Sequence, residues 1–197
     1  MNARLSVPVL LLALFAIPRI AAGADAQLPL WRSLDWFRGA WIGKAEGMLG
    51  SGSTLRCTDD LFGGRFMVSR TRTDVTLHDD LREKQHFDYW QMLARDPDSG
   101  RVTLEQYESA GYRRRFVLDE DLSRSDALVF QAAHLGDAAP DRAGRLTLRI
   151  LRGERYEEQL EFGESSSSLR VVRSSRWRRL DAAPAACRPG ELRIPEP

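Results

Sequence analysis

Two pairs of residues in this chain have the types and the spacing for chemistry. His86 and Asp88 lie two apart, so in an extended strand they share a face. There they offer a base with its orienting carboxylate, or two metal ligands; the plainer reading is two polar residues at a strand end. Glu158 and Arg173 form the second pair, each placed on the mostly apolar face of a strand. His78, His86 and His134 are the 3 histidines of the chain, and convergence of all of them would make a metal or haem site. The larger catalytic signatures are missing. There is no G-x-S-x-G, the serines of 165–168 read as a linker, and neither a P-loop nor a dinucleotide fingerprint occurs. Enzyme is therefore the lesser class, resting on minor hydrolytic or isomerase chemistry at His86 and Asp88.

The second pair depends on the elements that carry it. Over 155–162, Tyr156, Glu158, Leu160 and Phe162 form a mostly apolar face, whereas Arg155, Glu157, Gln159 and Glu161 are all polar. The first face points inward. Over 169–180 the matching face is Leu169, Val171, Arg173, Ser175, Trp177 and Arg179. Folding this hairpin about its serine-rich loop sets Phe162 opposite Leu169, Leu160 opposite Val171 and Glu158 opposite Arg173. Either charge would be costly to bury alone, so each satisfies the other. The pair either does only that or forms a polar fixture that orients a ligand in an apolar pocket. Arg179 shares the inward parity and comes close to Trp41, where a guanidinium can stack on the indole.

The wall itself begins at 39–47. Read with period 2, one face carries Gly39, Trp41, Gly43, Ala45 and Gly47, one large ring followed by small residues, as expected beside an enclosed space. A helical spacing over 31–38 predicts a short turn that abuts the end of a barrel. The strand pattern then continues over 40–47, 54–62, 65–75, 84–95, 102–108, 112–118, 127–133, 145–150, 155–162 and 169–180. The stretch 49–53 reads as a loop and Gly63-Gly64 as a tight hairpin turn. Short strands with hairpin connections predict an all-β, ten-stranded antiparallel up-and-down barrel, because closure removes the edges. The longer connections collect at one end, near 76–83, 134–144 and 163–168, which marks the mouth. For 84–95 the alternatives are a face with His86, Asp88, Trp90 and Met92 or one with Phe87, Tyr89 and Leu93; the pattern leaves the inward one open.

The N-terminal turn, the Gly39-x-Trp41 start and the strand count resemble the calycins, the lipocalin-like barrels. Gly39-x-Trp41-x-Gly43-x-x-x-Gly47 is similar in particular to the opening of nitrobindin-type barrels. That resemblance implies a calycin-like fold over about 31–180 and raises haem as a cofactor, held by a histidine near the C-terminal strand. Here 169–180 contains no histidine, and Ala45 stands where a further glycine is expected.

Residues 1–26 have the basic head, apolar run and small-x-small end of a signal peptide, which predicts an exported protein, periplasmic or secreted. The barrel domain then spans 27–180 and an extended tail 181–197. Of 29 basic and 28 acidic residues, removing Arg4, Arg19 and Asp25 leaves 27 of each sign, a balance that gives nucleic acid no general attraction. Cys57 and Cys187 are the only cysteines, and export makes one disulfide tethering the tail the natural reading, with two free thiols as the alternative. The expected function is an exported barrel that binds a small, largely apolar molecule, with Trp41, Tyr156, Glu158, Arg173, Trp177 and His86 as candidate ligand contacts. Gly39, Gly43, Gly47 and Arg179 have structural roles in this reading. A nitrobindin-like haem protein and a filled structural or interaction barrel are the alternatives.

Overall fold

The computed structural model describes residues 34–79, 84–135 and 142–187. The expected signal peptide, the start of the helical turn and the end of the tail lie outside these residues. A 3-10 turn at Asp35–Phe37 leads into β1 (Gly39–Gly47), β2 (Gly50–Leu61), β3 (Phe66–Leu77), β4 (Lys84–Arg95) and β5 (Val102–Glu108). There follow β6 (Arg113–Leu118), β7 (Ala127–His134), β8 (Ala143–Leu151), β9 (Arg155–Gly163) and β10 (Arg170–Arg179), then a second 3-10 turn, Ala185–Cys187. Each strand pairs antiparallel with its sequence neighbours, and β1 pairs with β10 to close the barrel. The expected fold class is thus the observed one. No described helix is long and apolar enough to cross a membrane.

One boundary differs in a way that bears on the interior. The glycine- and serine-rich stretch expected as a loop over 49–53 belongs mostly to β2, with Gly50 paired to Leu77 and Gly52 to Val75. At Gly52 a Cβ would stand 1.7 Å from the Asp74 carbonyl oxygen. Only glycine admits that approach of the two backbones.

Alternation sorts the side chains as period 2 requires. On β8, Leu146 and Leu148 point into the core, and on β9 so do Tyr156, Glu158 and Leu160. On β4 the inward set is Phe87, Tyr89, Gln91 and Leu93, with Tyr89, Gln91 and Leu93 buried and His86 and Trp90 exposed. The face left open by the sequence is therefore decided in favour of Phe87 and Tyr89. The 3-10 turn closes one end: Leu34 and Phe37 are buried there, and Trp36, Trp41 and Tyr156 pack ring to ring. Trp41 donates its indole N–H to the Phe37 carbonyl at 2.9 Å. Arg179 stacks on Trp41 with 4.4 Å to the ring centroid and donates to the carbonyls of Arg38 and Trp36, so the expected contact is present.

The β9–β10 register is a correction. Phe162 pairs with Arg170 and Leu160 with Arg173, while Glu158 lies opposite Ser175 and not opposite Arg173. The ladder shifts between Val171 and Arg173, which makes Val172 the extra residue of a bulge. Val171, expected inward, is 49% exposed, and Val172 faces the interior instead. Beyond the bulge the expected parity returns, with Ser175 and Trp177 buried.

Candidate functional site

The barrel interior has three levels. Below lies the apolar core around Trp41, Phe116, Phe130 and Leu146. Above it a belt of polar side chains crosses the interior, and above that a cavity of about 860 Å³ opens at the end where β1 turns into β2 and β9 into β10. Met48, Leu49, Ser109, Arg142, Glu164 and Ser168 from the connections form its rim. This is the end marked as the mouth by its longer connections. Ala45, Val75, Phe87, Leu160, Phe162 and Val172 give the cavity apolar walls.

Arg56 is the centre of the polar belt, and it arrives from β2 between Thr54 and Thr58, all three buried. Its Nε donates to Thr71 Oγ1 at 2.9 Å, one Nη to Tyr156 Oη at 2.8 Å and to Glu158 Oε2 at 2.7 Å, and the other Nη to Tyr89 Oη at 2.8 Å. The guanidinium also lies over Trp177, 4.4 Å from the ring centroid, and Trp177 stacks on Tyr156. Arg173 comes next, with one Nη 3.2 Å from Glu158 Oε1 and its guanidinium 4.7 Å from the centre of the Tyr89 ring. The expected Glu158–Arg173 pair therefore forms, along a diagonal created by the bulge. It is the outer half of a triad whose inner half, Arg56, comes from β2, outside the β9–β10 hairpin.

Electrostatics follow from this packing. Burial pushes the Glu158 carboxyl up, but Arg56 and then Arg173 pull it down further, and the net position lies below its ordinary value of 4.5. Burial lowers the Arg173 pKa, yet Tyr89, Glu158 and Glu108 outweigh it and hold the guanidinium charged. Burial raises the Tyr156 phenol and keeps it a neutral acceptor for Arg56. The belt is a fixed array of charges and hydroxyls, suited to holding a polar group and offering no activated nucleophile.

The remaining expected contacts divide. Tyr156, Trp177 and Trp41 are buried beneath the belt and do not line the cavity; they support the floor from below. His86 stands on the outer face, its Nδ1 2.7 Å from Asp74 Oδ1. Its orienting carboxylate is thus Asp74, while Asp88 lies 3.9 Å from Arg72, so the two do not form the imagined dyad. His78 Nε2 contacts the Gly47 carbonyl at 3.2 Å, and neither it nor His134 is among the lining residues. No cluster of metal-binding side chains occurs among the described residues. The cavity wall there offers no imidazole, so haem held as in the nitrobindin-type barrels does not fit this lining. Cys57 and Cys187 form the expected disulfide.

No family model matches the chain, and no curated protein matches it. Among solved structures it is similar to Rv2717c from M. tuberculosis at 16% identity, with a TM-score of 0.56 over 78% of this chain and 98% of that one. A de novo designed fluorescence-activating beta barrel aligns at 11% identity and a TM-score of 0.35, over 75% of this chain and 97% of the design. The first of these similarities supports the barrel fold.

Proposed function

We propose that this protein is a small-molecule-binding barrel, and that it acts in an exported compartment. The observation that carries the first part is the cavity of about 860 Å³, apolar in its walls and closed below by a charged belt. Ligand sites of this size, mostly apolar with a few convergent polar groups, are the usual form of a binding pocket. A barrel serving only as a filled structural module has no use for such a volume above a completed core. Export is supported by the Cys57–Cys187 disulfide, a bond that persists in oxidising compartments, together with the signal-like sequence of 1–26.

Native mass spectrometry of protein purified without denaturation tests the reading first, with a bound mass lost on declustering as the expected result. Titration with a neutral, environment-sensitive dye such as Nile red gives the second arm. Ala45 is buried and faces the cavity from β1. Ala45→Trp should fill the space and reduce dye affinity by about tenfold or more, the scale of losing one well-buried apolar contact surface. Equal dye binding by this variant, with the melting temperature unchanged, would place the dye elsewhere and overturn the reading.

A further inference from the structure

We infer that the ligand of this cavity is a monoanionic amphiphile, a carboxylate with an apolar chain, and that Arg173 receives its head. The inference rests on the reading of the cavity as a binding site and adds the charge and orientation of what enters it.

Four observations converge. Arg173 is the member of the triad open to the cavity: its side chain is 23% exposed, against 5% for Arg56 and 1% for Glu158, which are sealed beneath it. Its donors are not used up, for one Nη reaches Glu158 while the buried Nε has no partner. Stacking on Tyr89 fixes the plane of the guanidinium and so the direction in which its remaining N–H groups point. Finally, the charges do not cancel. Arg56 and Arg173 share one carboxylate, Glu158. The other acid near Arg173 is Glu108, which pairs with Arg114 and accepts from Gln106 Nε2 at 2.6 Å. With Arg56, Arg173 and Arg114 set against Glu158 and Glu108, the floor carries an excess of one positive charge.

An unmatched charge at the floor of the cavity, beside the buried Arg56 and Glu158, favours a ligand that supplies its complement. A planar carboxylate matches the fork of a guanidinium, whereas an ammonium head would be repelled. Above Arg173 the walls are Val75, Leu160, Phe162 and Val172, so the rest of the ligand is apolar. Glu46, Asp88 and Glu164 stand at the rim with Arg142 and Arg170, an excess of one negative charge at the solvent end of the cavity, where salt screens it more than it screens the buried charges of the floor.

The test uses chains of equal length with different heads: dodecanoate, dodecanol and dodecylamine, each displacing Nile red from the full mature protein. The expected order is dodecanoate over dodecanol by about 10- to 100-fold, the scale of a charge-assisted hydrogen bond, with dodecylamine weakest. In Arg173→Met the preference for the acid should fall to about twofold or less while dodecanol binding persists. In Arg173→Lys the charge stays but the planar, stacked fork is lost, so the preference should fall between that of the unaltered protein and that of Arg173→Met. Loss of Arg173 leaves Arg56 and Glu158 as a neutral pair, and thermal unfolding reports whether each variant is folded. Equal affinity for acid and alcohol in the unaltered protein, or an undiminished preference in Arg173→Met, overturns the inference and leaves the cavity reading intact. Failure of dye and all three chains to bind overturns the cavity reading itself, and the inference with it.

Discussion

The guanidinium of Arg56 touches two phenols, a threonine hydroxyl, a carboxylate and an indole face at once. Truncating it to methionine would leave the Glu158 carboxylate buried with only the longer contact to Arg173. Breaking one side of such a pair costs about 3–5 kcal/mol, so Arg56→Met should lose that much in urea unfolding. Glu158 makes the same point through pH. Its folded pKa lies below 4.5, so the stability it contributes is present above that value and is lost as pH falls through the lower folded pKa. A stability profile of the protein should therefore drop in this acid range, and the Glu158→Gln profile, already lower at neutral pH, should drop less steeply there. Arg56 was legible from the sequence by an argument of the kind that located Glu158. Arg70 and Arg72 mark the outer face of β3, Thr71 is then inward, and pairing about Gly63-Gly64 sets Arg56 opposite Thr71. The abundance of arginine hid it, because a chain with only two lysines, Lys44 and Lys84, makes each arginine look like background.

Strand order and inward faces were readable wherever polar and apolar residues alternate cleanly, as on β8 and β9. Register was not readable at β10, since Val171 and Val172 are equally apolar and nothing in their types says which is the extra residue. The bulge has a consequence for the site. It turns Val172 toward the cavity and offsets Arg173 from Glu158, which leaves the guanidinium reaching down past Leu160. The β1–β10 seam that closes the barrel has its own requirement. Gly43 lies where a Cβ would stand 2.3 Å from the Arg176 carbonyl oxygen and 3.2 Å from the Trp177 ring. Backbone on the partner strand cannot swing away as a side-chain tip can. Gly43→Ala should therefore destabilise the protein by about 1–3 kcal/mol, the usual cost of overpacking. Denaturant midpoints would show it, and an unchanged midpoint would mean that the seam is looser than this contact requires.

At the scale of the molecule the barrel is divided into a filled half and an open half, and its stabilising devices lie away from the mouth. The 3-10 turn seals the closed end, and Arg179 ties it to β10 through the Arg38 and Trp36 carbonyls. On the outside, Cys57 of β2 holds the tail at Cys187, and Arg70 of β3 donates to the Ala186 carbonyl beside it. The disulfide spans 130 residues, a loop for which the chain-entropy model gives about 5 kcal/mol. Because Cys57 faces outward between Arg56 and Thr58, its removal leaves the inward set of β2 in place. Replacing both cysteines by serine should thus lower unfolding stability by up to about 5 kcal/mol, while dye affinity measured well below the melting temperature stays within about twofold. A fall in affinity that tracks the loss of stability would instead mean that the tail tether holds the polar floor in shape. The belt beneath the cavity would then depend on the outer wall, and Arg173 could not be treated as positioned by Glu158 and Tyr89 alone.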